Sequence, residues 1–81
     1  ALPTLSIMAL PNDHTGGTSP KHPTPRAMVA DNDYALGQII EAVSKSKFWK
    51  NTVIFITEDD SQHGWDHVSA YRTVAMVISP Y

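Results

Sequence analysis

Two places along the chain gather side chains able to hold a metal ion. The first is Asn12-Asp13-His14. The second opens with Glu58-Asp59-Asp60 and continues through His63, Asp66 and His67. The ten residues from Glu58 to His67 hold four of the eight acids and two of the four histidines, with no Lys or Arg among them. Carboxylates this close together repel one another unless solvent or a cation separates them. A divalent ion relieves that repulsion and takes carboxylate and imidazole groups as ligands. The same residues also suit turns, where Asp and Asn side chains bond to their own backbone, so the pattern alone leaves both roles open. His22, between Lys21 and Pro23 in a Pro-rich stretch, reads as an exposed residue or a further ligand. Arg72 reads as a contact to a substrate phosphate or as the partner of a nearby acid.

The elements that must position these groups follow from hydropathy and punctuation. Residues 4–10 carry an apolar run closed by Pro11 and are expected to form a short buried strand. Residues 11–26 hold two glycines (Gly16, Gly17) and four prolines (Pro11, Pro20, Pro23, Pro25), the composition of a loop. Thr24-Pro25 marks a helix start, with Thr24 as N-cap and Pro25 in the first turn. The helix should run to about Ser46, because Met28, Val29, Leu36, Ile39, Ile40 and Val43 fall within one arc of a 3.6-residue period. Asp31, Glu41 and Lys45 lie off that arc. Asn32 lies inside it and needs a polar partner, either in a neighbouring loop or in the 58–67 segment near the site. Thr52 to Thr57 is β-branched and apolar, as in a strand covered on both faces. A second such run spans 73–78. The order strand, loop, helix, strand, loop, strand predicts an α/β layer, its strands near 4–9, 53–57 and 73–78 in one sheet with at least one right-handed crossover. In open sheets of that kind ligands bind beyond the carboxyl ends of the strands, which is where both acidic clusters fall.

Size and charge narrow the classes. A chain of 81 residues allows one small domain at most, and a domain this small buries only ~60% of its unfolded surface. It has no cysteine, so disulfides cannot make up the difference. The net charge is -2 and the six Lys and Arg residues are scattered, which argues against nucleic acid as a partner. No apolar run approaches the ~20 residues needed to span a bilayer. Both ends lie beside apolar runs, so the chain is expected to be one partial domain of a longer protein, with the remainder of that protein or another copy covering its open strand edges.

The stretch Trp49 to Asp60, with Asp33-Tyr34-Ala35-Leu36-Gly37 before it and Asp66-His67-Val68 after it, resembles the second metal motif of the alkaline phosphatase superfamily, in the branch of bacterial phosphoesterases that includes phospholipases C and acid phosphatases. The resemblance extends from Leu10 to Tyr81 and implies the C-terminal part of an alkaline phosphatase-like α/β sandwich. It implies two divalent metals, commonly zinc, with manganese or calcium in some branches. Asp59 would bind one metal with Asp60 beside it, and Asp13 the other together with His67. Many members have a His four residues after the first Asp, where this chain has Gly17. His14 or His22 would serve instead, His14 being preferred because it adjoins Asp13. Asp60 in place of the more usual His makes the site richer in oxygen, favouring calcium, magnesium or manganese over zinc.

The resemblance further implies hydrolysis of phosphate esters by attack of a Thr or Ser, and a parent protein that is periplasmic or secreted. The resemblance places that nucleophile upstream, and within this chain Thr15 and Thr18 sit in a Gly-rich loop ill suited to fixing an attacking oxygen. The catalytic residue is therefore unassigned, and Asn32, His22, Asp66 and Arg72 are candidates for substrate contact or for supporting the ligands. Two other readings stand beside the hydrolase: a non-catalytic metal-binding or interaction module, and a sulfatase or phosphomutase relative.

Overall fold

The computed structural model describes residues 2–59 and 73–81. They fall into two compact units, Ala1–Ser44 and Lys45–Tyr81. The first holds a 3-10 turn, Pro11–His14, and one helix, α1, Pro25–Ser44. The second holds a 3-10 turn, Trp49–Asn51, and two strands, β1, Ile54–Thr57, and β2, Ala75–Ile78. One helix and a two-stranded sheet make this a small α/β arrangement, the class that the periodicity predicts.

α1 begins where its capping residues require. The Thr24 hydroxyl accepts a hydrogen bond from the Ala27 N–H at 3.2 Å, satisfying a donor that the first turn leaves free. Pro25 fills the first helical position, where its missing N–H costs nothing. Met28, Ala35, Leu36, Ile39, Ile40 and Val43 are half-buried along one arc, as the period requires, whereas Val29 is exposed. The helix stops at Ser44, two residues before the expected end. Ser44 turns its hydroxyl back to the Glu41 carbonyl at 2.9 Å. Ser46 then accepts the Phe48 N–H on its hydroxyl and the Trp49 N–H on its carbonyl, so the chain enters the next turn there.

In the second unit β1 and β2 pair antiparallel, with Ile54 opposite Ile78, Phe55 opposite Val77, Ile56 opposite Met76 and Thr57 opposite Ala75. One face of this ladder carries Ile54, Ile56, Met76 and Ile78, and the other carries Phe55 and Val77. Ile54, Ile56 and Ile78 are half-buried, but Phe55 is 73% exposed. The run Thr52 to Thr57 is therefore covered on one face and open on the other among the described residues, not on both as its composition predicts. Tyr81 ties the far end of the unit back, its hydroxyl donating to the Lys50 carbonyl at 2.8 Å. Thr52 closes the turn before β1 by donating to the Phe48 carbonyl at 2.7 Å.

Two expectations are corrected. Residues 4–10 form no strand, and Ile7 within them is 87% exposed. Their apolar composition fits a pleated surface, but a strand exists only through a ladder with a neighbour, and no described strand pairs with them. The parallel crossover is likewise not found among the described residues, where the one strand pair is antiparallel. No helix of the described residues is long and apolar enough to cross a membrane. Because α1 depends on the Thr24 cap, Thr24→Ala should lower the stability of its first turn by about 1 kcal/mol while Thr24→Asp preserves it. Thermal melts followed by far-ultraviolet circular dichroism would show the difference.

Candidate metal centre

The turn of the first unit that carries Asp13 and His14 is built on Pro11. The proline opens a 3-10 turn, and the Thr15 N–H closes it on the Asn12 carbonyl at 3.1 Å. That turn packs against α1 and is pinned there by a side chain. Asn12 Nδ2 donates to Asp31 Oδ2 at 2.7 Å, across 19 positions of sequence. The pair forms the polar part of an open hollow of about 510 Å³ whose other lining residues are Pro23, Ala27 and Met28. Asp13 and His14, next to Asn12, are both exposed.

His14 is oriented by the backbone. Its Nδ1 lies 3.2 Å from the Thr15 carbonyl oxygen. A carbonyl only accepts, so in the neutral ring Nδ1 carries the proton and Nε2 keeps its lone pair. Metal-bound histidines commonly use this arrangement, donating from one nitrogen to a carbonyl while the other faces the ion. Thr15 makes the bond possible by adopting φ 63° and ψ 169°, a region populated almost only by glycine. Such a conformation costs on the order of 1–3 kcal/mol and persists only where neighbouring contacts enforce it. Here the Thr15 hydroxyl accepts the Gly17 N–H at 3.2 Å, and Gly17 has φ 66°, which glycine adopts freely.

His22 is also exposed, and its ring lies over Gly16, so close that a Cβ built on Gly16 would sit 2.6 Å from the ring carbon Cγ. Asn32 is half-buried within the apolar arc of α1. Most of the 58–67 segment, one of the two partners expected for it, lies outside the described residues, and a bond between helix and loop is made by Asp31, one residue earlier, which the helical period sets aside as facing elsewhere. No local sequence signal marks the Asn12–Asp31 pair, because its partners meet only when the loop folds back on the helix.

In the second unit the acidic run starts at the end of β1. The Glu58 N–H continues the ladder to the Val74 carbonyl at 3.2 Å, and the Glu58 carboxylate accepts the Thr73 hydroxyl at 3.1 Å. Glu58 is thereby committed to its strand neighbour, and the exposed Asp59 follows it beyond the carboxyl end of β1. Asp60, His63, Asp66, His67 and Arg72 lie outside the described residues. Among the described residues no three of His, Asp or Glu stand together as a complete metal site.

The model of the Phosphoesterase family matches residues 1–79, nearly the full length. The chain belongs to the Phosphoesterase family. No curated protein and no solved structure gave a match. The family relates this chain to enzymes acting on phosphoric esters. In this phosphoesterase-family chain the first turn holds one imidazole whose Nδ1 faces the Thr15 carbonyl, so that Nε2 keeps its lone pair.

The contact between His22 and Gly16 generates a prediction about the loop. Gly16→Ala should cost about 1 kcal/mol or more through overpacking, and His22→Ala in the same chain should recover most of it. A double-mutant cycle on urea midpoints would measure the coupling, and additive effects would show that the ring is not fixed there.

Proposed function

We propose that this chain is part of a metal-dependent phosphoric ester hydrolase and contributes ligands to a two-metal site. The family match over residues 1–79 carries this reading. The residue chemistry supports it, since each cluster of acids and histidines offers the oxygen and nitrogen donors that zinc, manganese or calcium accept. Asp13 and His14 are assigned as ligands from the first turn, and Asp59, Asp60 and His67 from the segment after β1. Asp66, Arg72, His22 and Asn32 remain candidates for holding the ligands or a substrate phosphate. When bound, the metals would supply charge neutralisation at a phosphoryl group and activation of an attacking oxygen.

This chain's own residues do the positioning. Pro11 and Asn12 set the turn, the strained Thr15 aims the His14 ring, and the β1–β2 ladder fixes where the backbone carrying Asp59 begins. Most hydroxyls of the described residues serve local structure. Thr15, Ser19, Thr24 and Ser46 accept backbone N–H groups, Thr52 donates to a backbone carbonyl, and Thr73 donates to Glu58. The attacking hydroxyl is placed by this reading in another part of a longer enzyme, because Thr15 and Thr18 sit in a Gly-rich loop ill suited to fixing an attacking oxygen. A non-catalytic module that kept the ligands and lost the reaction is the competing reading, and the parent sequence discriminates the two by whether a Thr or Ser stands at a helix start behind an acid-rich strand.

In the parent enzyme, Asp13→Ala and Asp59→Ala should each lower hydrolysis of an aryl phosphate by roughly a hundredfold or more, since even residues behind the ligands cost 10–100-fold when removed. The 81-residue chain alone should not turn over with added zinc, manganese or calcium. Turnover by the monomeric chain, lost in Asp59→Ala, would overturn the assignment of the nucleophile elsewhere. Unaltered kinetics of both parent variants would overturn the ligand assignment.

A further inference from the structure

We infer that Asp31 is a positioning residue of this site, one that fixes the turn presenting Asp13 and His14 through its bond to Asn12. The functional meaning rests on the metal-ligand reading of that turn; the geometry stands apart from it. The turn is short, and its own backbone supplies one closing bond, Thr15 N–H to the Asn12 carbonyl. The residue after it sits in a conformation that an unrestrained Thr would leave. The Gly17 N–H bonds the Thr15 hydroxyl from within the loop, and a contact from outside the turn adds to it. Among the described residues the side-chain bond that does so runs from Asn12 Nδ2 to the Asp31 carboxylate, at 2.7 Å the short distance of a charge-assisted bond. Asp31 sits on α1, an element whose start is fixed by its own cap and whose apolar arc is half-buried, so the anchor is on the rigid partner. Asn12 directly precedes the two proposed ligands. A shift of Asn12 away from α1 would carry Asp13 and His14 with it and release the strained Thr15 on which the His14 orientation depends.

The test uses the full 81-residue chain, labelled with nitrogen-15, as wild type, Asp31→Ala and Asp31→Asn. The Asn variant keeps an acceptor oxygen and removes the charge. Amide exchange is measured at Thr15 and along α1, and Mn²⁺ is titrated while the broadening of the Asp13 and His14 amide signals is followed. In Asp31→Ala the Thr15 amide should exchange about tenfold faster while the α1 amides keep their protection, which a general loss of helix stability would not do. The Mn²⁺ concentration for half-maximal broadening should rise about tenfold, the lower end for residues that orient ligands. Asp31→Asn should stay within about threefold of wild type in both measurements, the loss expected when one hydrogen bond is weakened but kept. Unchanged Thr15 exchange in Asp31→Ala overturns the inference, as does an Asn variant that behaves like the Ala variant, since charge alone would then account for the effect. Should Mn²⁺ broaden neither Asp13 nor His14 in the wild type, Thr15 exchange alone decides whether Asp31 orders the turn.

Discussion

A hydrogen bond between two side chains 19 residues apart, Asn12 to Asp31, holds the first unit in register. The 12–15 turn carries this bond at its first residue. The 3-10 turn sits on α1, Thr15 is held where only glycine is comfortable, and the His14 ring is turned onto the Thr15 carbonyl. A bond of this kind contributes on the order of 1 kcal/mol in an exposed setting, comparable to the strain that it has to offset at Thr15. The turn is thus poised, ordered by one polar contact and a modest amount of apolar packing.

That balance matters because apolar burial is limited. No described residue is fully buried, and the better covered side chains, such as Leu36, Ile39, Ile54 and Ile56, are half-exposed. Hydrophobic stabilisation scales with the area removed from water, so local polar contacts carry an unusual share of the structure. Thr24 caps α1, Thr52 and Tyr81 fasten the ends of the strand unit to the 48–51 turn, and Thr73 holds Glu58 across the ladder. Threonine recurs in these roles because its hydroxyl reaches backbone groups one turn away and its methyl tolerates β-rich surroundings.

The same economy separates the acids by role. Glu58 begins the acidic run in sequence, yet its carboxylate is taken by Thr73 and its amide by Val74. Asp59, one residue on, is exposed past the end of the ladder. Asp31 is an acid of ordinary helical appearance, and it is the one that braces the first turn. This division leaves Asp13 and Asp59 exposed while Asp31 and Glu58 are occupied by hydrogen bonds.

Local chemistry was legible in the residues themselves. Thr24-Pro25 dictates a helix start through one hydroxyl and one missing N–H, and the 3.6-residue spacing from Met28 to Val43 dictates which face of α1 is covered. The β-branched runs near 54–57 and 75–78 become strands because their side chains suit a pleated surface. The acids and histidines advertise their chemistry wherever they fall. What the residues could not disclose were the partners. Whether an apolar run such as 4–10 becomes a strand depends on a neighbour that offers a ladder, and composition carries no address for that neighbour. Antiparallel pairing of β1 with β2 and coverage of one face alone are likewise outcomes of pairing, not of propensity. The Asn12–Asp31 bond belongs to the same class, since it exists only because the fold brings groups 19 residues apart within 2.7 Å.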